Sequence, residues 1–294
     1  MAFIFLIQTV MGIMGNSSLF LLYIFPLLTG NHMRPIDLVL SQLLLANLIV
    51  LLSKGIPQTL IALGWKCFLS DISCKLVFYW YRVGSGVSVS TVSLFNGFQA
   101  IKLKPKMCRW IALKMQSKEF IGYCCLFNWF LHLLMNLLLP FLVNGPLNER
   151  NASVESNGGY CTWTLPAGCV LLYNILYFSP DVISLIFMSW ASILAIVVLH
   201  RHKQRVQHIH TYSFSSSVSH EDRATCRILI LVCFFTAFYS VYLSLTLWMI
   251  HAEKRGQWVV NSSVLLASCF PAFSPYVLIL TDTRVSQVCF ACRT

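Results

Sequence analysis

The stretch "LFNGFQAIKLKPKMCRW", residues 94–110, decides how the chain is read. Its first half is apolar enough to lie in a membrane. Its second half sets Lys102, Lys104, Lys106 and Arg109 within eight residues. A run that passes from hydrocarbon straight into a basic cluster reads as the end of a transmembrane helix. Outward from this junction the pattern recurs. Of 294 residues, 57% are hydrophobic and only 11% are charged, whereas soluble domains carry about 25% charged residues. A soluble globule with a polar skin is excluded. The net charge of +11 suggests no nucleic-acid partner, because the basic residues sit in short loops between apolar runs.

A helix needs about 20 apolar residues to cross the hydrocarbon core. Seven segments qualify: 3–28, 37–63, 74–101, 120–143, 169–199, 224–250 and 259–281. In lipid the backbone must satisfy its own hydrogen bonds, so each is predicted as a helix. The expected fold is an all-α membrane protein, a single seven-transmembrane helix bundle over residues 1–294. The first apolar run lacks the basic flank of a cleavable signal peptide and is too long for one. Only two residues precede it, so a natural N-terminus extending further is left open.

Orientation follows from Lys and Arg in the short loops. The loops after spans 1, 3 and 5 and the C-terminal tail hold fourteen; the loops after spans 2, 4 and 6 hold four. The C-terminus is therefore expected in the cytoplasm and the N-terminus outside. The glycosylation sequon at Asn151 falls on the expected outer side. The sequons at Asn16 and Asn261 fall within spans, out of reach of the transferase. Among twelve Cys, Cys74 opens span 3 at its outer end and Cys161 shares the outer loop of Asn151. A disulfide there would lie in an oxidising compartment, with Cys67 as a competing partner for Cys161.

No catalytic constellation stands out. Five of eight His lie between 200 and 220, and no Cys or carboxylate completes a metal site there. No metal or cofactor is expected, and no enzyme activity. What remains is polar groups inside apolar helices, which are costly and therefore point to function: Lys54, Arg82 and Asp181, with Asn16 and Asn47. Snorkelling to the outer headgroups is the alternative for Lys54 and, less so, for the deeper Arg82. Asp181 must be paired, protonated or facing water. An Arg82–Asp181 pair would bridge spans 3 and 5 across an apparent difference in depth. Pro26, Pro57, Pro140, Pro180, Pro271 and Pro275 each remove a helix hydrogen bond and permit a kink.

Seven spans with an outer N-terminus resemble G-protein-coupled receptors, and local pieces agree: Gly15–Asn16, "LLLANL" at 43–48 and "YFSP" at 177–180. Gln99 stands where most rhodopsin-like relatives have an Arg, Asn47 where most have Asp, and "SPYVL" (274–278) replaces the usual Asn-Pro motif. The strings "RPIDLVLSQLLLAN" (34–47), "KGIPQT" (54–59), "YRVGSGVSVST" (81–91), "NGFQAIKL" (96–103), "RHKQRVQH" (201–208) and "ASCFPAFSPYVLI" (267–279) are similar to those of vomeronasal type 1 receptors along essentially the whole chain.

The resemblance implies a multi-pass plasma-membrane chemosensory receptor. It would bind a small pheromone-like molecule from outside and engage a heterotrimeric G protein of the inhibitory class. It implies a Cys74–Cys161 disulfide. Depth within the spans suggests Lys54, Tyr79, Arg82, Ser85 and Tyr177 as ligand-cavity liners. Asn16, Asn47 and Asp181 are expected as buried switch residues. The inner surface would carry Gln99, Lys102, Lys104, Arg205 and Arg223, and Cys289 and Cys292 are juxtamembrane palmitoylation candidates. Two rivals remain: a small transporter or channel, disfavoured by the lack of an internal inverted repeat, and a non-signalling receptor remnant.

Overall fold

The computed structural model describes residues 2–30, 34–65, 69–103, 113–114, 117–145, 161–163, 178–194, 196–197, 220–251 and 257–281. Within them run seven long helices: α1 (Ala2–Leu28), α2 (Pro35–Ala62), α3 (Asp71–Leu103), α4 (Lys118–Met135), α5 (Phe178–Leu194), α6 (His220–His251) and α7 (Gln257–Thr281). A short helical turn, Leu139–Leu142, follows α4. Among the described residues, α1, α2, the α4 segment to Leu142 and α7 are long and apolar enough to cross a membrane. The chain is an all-α, seven-helix membrane bundle.

Local chemistry explains the ends. Pro35 sits in the first turn of α2, where its missing N–H has no helical partner to lose. Ser117 caps α4 by accepting from the Phe120 N–H, meeting one of the orphan donors of the first turn. Gly64, at φ +95°, ends α2 in the left-handed region that side chains avoid. Inside α2, Leu51–Gly55 forms a single π turn just ahead of Pro57. A proline ring clashes with the carbonyl four residues earlier, here that of Ser53. The wider turn relieves that clash and re-aims Lys54.

α3 is the centre of the bundle, packed on α2, α4 and α6 and hydrogen-bonded to α5. There Ser93 donates to the Ser184 carbonyl at 2.9 Å, and Asn96 to the Met188 carbonyl at 2.8 Å. α1 packs against α2 and α7, and α6 against α7. The core joins Leu43, Leu44, Val92, Met188, Phe235 and Phe270 from five helices. On the outside, Ile183, Ile186, Trp190 and Ile193 are exposed along one stripe of α5, and Tyr123, Phe127 and Phe130 along α4. Exposed apolar stripes at helical spacing are what a lipid-facing surface requires.

Candidate functional site

Arg82 of α3 and Asp181 of α5 form an ion pair, Nη1 to Oδ2 at 2.6 Å. Their residues are 5% and 2% exposed. Desolvating each charge costs several kcal/mol, so such a pair persists only when the partners compensate each other closely. The pair that the sequence raised, despite an apparent difference in depth, is formed, and Arg82 does not snorkel.

Lys54 also turns inward. The π turn places its Nζ 4.0 Å from the Tyr81 ring centroid and 5.9 Å from that of Tyr242. The two tyrosine hydroxyls bond to each other at 3.1 Å, tying α3 to α6. Snorkelling toward the headgroups is therefore replaced by a cation held over aromatic faces, an interaction that strengthens when desolvated. Below this cluster the aromatic series continues through Tyr239, Phe235 and Phe270, with centroid separations of 5.2 Å and 4.3 Å along it.

A cavity of about 10 Å³ opens between α2, α3, α6 and α7, lined among others by Val50, Ser85, Phe238, Tyr239, Ala267 and Phe270. That volume is about the size of one water molecule. Ser85 lies in this wall. Tyr79 does not: its hydroxyl donates to the Leu133 carbonyl at 3.1 Å, and its ring packs toward α4 with Trp129. Tyr177 lies outside the described residues.

Deeper in the bundle, Asn47 bridges three helices. Its amide donates to Ser274 Oγ at 2.9 Å, and its Oδ1 accepts from Ser88 Oγ at 2.8 Å. Asn16 donates to the Pro271 carbonyl at 2.7 Å. The reason is in the sequence: Pro275, four residues on, has no N–H to give that carbonyl, so α1 supplies the donor.

Sequence reasoning missed a third knot, between α3 and α4. His132 Nε2 and Ser90 Oγ are hydrogen-bonded at 3.0 Å. Ser90 donates to Asn128 Oδ1 at 2.6 Å, and Asn128 donates to Thr91 Oγ1 at 3.2 Å. The signal was the spacing of four between Asn128 and His132 in an otherwise apolar span, which sets them on one face. Gly86 faces the same ring, and a Cβ there would overlap it.

Near the N-terminal end of α3, Cys74 and Cys161 are joined by a disulfide with a Cα–Cα distance of 6.0 Å. Beside it, β1 (Val143–Asn144) pairs antiparallel with β2 (Thr162–Trp163). Asp71 accepts from the Gly145 N–H at 2.7 Å and pairs with Lys75 at 2.8 Å. Cys67, the rival partner, lies outside the described residues, as do Lys104, Asn151, Arg205, Cys289 and Cys292. Gln99 and Lys102 lie on the α3 backbone and Arg223 on that of α6; their side chains lie outside the described set.

Beyond the seven helices, the Cys74–Cys161 disulfide and the buried α3–α5 ion pair, the chain has relatives among known proteins. Residues 1–291 match the vomeronasal organ pheromone receptor family. The chain belongs to this family. It is 54% identical to human vomeronasal type-1 receptor 1 over 290 residues, 99% of this chain and 82% of that protein. It is 39% identical to human vomeronasal type-1 receptor 4 over 286 residues, 97% of this chain and 95% of that one. A zebrafish olfactory receptor class A-like protein 1 is 26% identical over 292 residues, 99% and 91% of the two chains. This vomeronasal-family chain is accordingly a membrane-embedded chemosensory receptor. The strings that suggested the family are also the ones that build its interior. Arg82 comes from "YRVGSGVSVST", Lys54 from "KGIPQT" and Ser274 from "FSPYVLI".

Proposed function

We propose that this vomeronasal-family receptor sits in the plasma membrane, N-terminus outside, and binds a small pheromone-like molecule from the outer side. Binding drives nucleotide exchange on a heterotrimeric G protein of the inhibitory class at the cytoplasmic face. The observation that supports this reading best is the buried Arg82–Asp181 pair beside the Lys54–Tyr81–Tyr242 cluster. Together they join polar groups from α2, α3, α5 and α6, in the half of the bundle that this reading puts outside. A ligand acts only by binding one conformation better than another. Contacts that span helices are where such a difference arises, and a coupling of about 1–3 kcal/mol suffices.

In this reading Lys54, Arg82 and Ser85 meet the ligand, with Tyr177 from the outer end of the fifth span, while Tyr79, bonded to the Leu133 carbonyl, braces α3 against α4. The Tyr81–Tyr242 bond carries a shift of α3 to α6. Asn16, Asn47 and Asp181 are the buried groups whose bonds differ between states. Gln99, Lys102, Lys104, Arg205 and Arg223 face the G protein. Asn151 is glycosylated, and Cys289 and Cys292 anchor the tail by palmitoylation. The fourteen-to-four bias of Lys and Arg supports the orientation.

The test is a screen of volatile and steroid molecules on cells that express the chain and report G-protein activation. A saturable, receptor-dependent response blocked by an inhibitor of the inhibitory class supports the reading. Silence across the screen, with the receptor at the surface and solute flux in proteoliposomes, would favour a transporter.

A further inference from the structure

Tyr239 is 7% exposed, and its hydroxyl has no hydrogen-bond partner among the described residues. Buried polar groups are nearly always bonded, so one that is not calls for an explanation. Its neighbours are already engaged. Tyr242 bonds Tyr81, and Arg82 and Asp181, both within electrostatic reach of Tyr239, bond each other. The ring itself is fixed, stacked on Phe235 at 5.2 Å and tilted against Tyr242 at 5.5 Å.

Tyr239 lines the cavity between α2, α3, α6 and α7. The other walls are mostly apolar, with two further hydroxyls, Ser85 and Ser88, the latter already donating to Asn47 Oδ1. Phe238, on the same wall, is only half-buried, and it is the side chain whose outward turn would enlarge the space. An oriented donor in an apolar enclosure is the arrangement by which pockets select a small, mostly hydrocarbon molecule with one polar atom.

We infer that the Tyr239 hydroxyl is the polar anchor of the ligand site, donating a hydrogen bond to an acceptor oxygen on a small apolar ligand of the ketone, ester or ether class. The inference rests on the receptor reading above and names its ligand class. No charge is required of the ligand, because the ion pair above the cavity is already internally compensated. Loss of one hydrogen bond from a buried donor costs about 1–3 kcal/mol, and each 1.4 kcal/mol is about tenfold in affinity.

The experiment uses the purified chain in lipid nanodiscs, titrated with a fluorinated aryl ketone and with its deoxy analogue, in which CH₂ replaces the carbonyl. Fluorine NMR reads binding of each. The wild type should bind the ketone about tenfold more tightly than the deoxy probe. Tyr239→Phe, which keeps the ring and removes only the oxygen, should bind both alike. Its melting temperature, unchanged or raised, verifies the fold. A ketone preference that survives in Tyr239→Phe overturns the inference. So does a wild type that binds neither probe saturably or shows no preference, the result expected if a water alone serves the hydroxyl. G-protein activation measured on the same samples separates the two readings. A chain that signals without Tyr239-dependent selectivity keeps the receptor function and loses the anchor.

Discussion

Arg82 Nη1 and Asp181 Oδ2, 99 residues apart in sequence, are 2.6 Å apart inside the bundle. Each would lose its buried counter-charge without the other. Removing one partner of a buried pair typically costs about 3–5 kcal/mol, whereas replacing both with apolar side chains is often neutral. Asp181→Leu and Arg82→Met should therefore each lower the melting temperature of the purified receptor strongly. The double variant should recover most of the loss. Single and double losses that simply add would show that the two residues do not depend on each other.

The contact between α3 and α4 rests on the absence of a side chain at Gly86, where the His132 ring fits. Overpacking of this kind costs about 1–3 kcal/mol. Gly86→Ala should destabilise the receptor by that amount, and His132→Ala in the same chain should offset much of it. Thermal unfolding of the four combinations reads the coupling. An unaffected Gly86→Ala variant would mean that the helices are not held this close.

Asn16 serves the carbonyl that Pro275 leaves free. Asn16→Ala should cost about 1–3 kcal/mol, the penalty for a buried acceptor without a donor. In a Pro275→Ala background the helix regains an N–H for that carbonyl, and the same substitution should cost clearly less. Equal costs in the two backgrounds would remove the explanation.

The seven helices were legible because lipid leaves so little choice. A chain that cannot hydrogen-bond to its surroundings must form helices of a set length. Span 2, expected at 37–63, runs Pro35–Ala62; span 6, expected at 224–250, runs His220–His251. Charged residues within apolar runs are equally conspicuous, so Lys54, Arg82 and Asp181 could be singled out. An Arg82–Asp181 pair could be raised but not decided, and the aromatic partners of Lys54 could not be read at all. Counting down from Cys74 puts Arg82 about 12 Å deep, and counting from 169 puts Asp181 roughly 18 Å deep. The length of the arginine side chain closes a gap that helical rise alone leaves open. The inward turn of Lys54 depends on a π turn for which hydropathy has no signature. The His132 and Tyr239 environments escaped notice because uncharged polar side chains barely alter an apolar run.

At the N-terminal end of α3, Asp71 lies ahead of the membrane span proper. Lys75, and then the Gly145 amide, hold its carboxyl below its ordinary value of 3.8. A carboxyl depressed by folding stabilises the folded form above its unfolded pKa, and that contribution is lost as pH falls through the lower folded value. The clip between α3 and Gly145 should hold at pH 5 and above and loosen below about pH 4. Hydrogen exchange at the Gly145 amide reads this directly. Asp71→Asn should abolish the pH dependence, and protection that is flat with pH in the wild type would rule out the carboxylate clip.

The central claim is that an outside ligand drives G-protein activation through the Arg82 cluster. The most direct measurement is a dose–response of G-protein activation in cells, for an agonist found by screening. Wild type, Arg82→Ala and the Arg82→Met/Asp181→Leu double variant are compared at matched surface expression. The account predicts that both variants respond weakly or not at all, the double variant despite its restored stability. A dose–response unchanged from wild type in the double variant would contradict it.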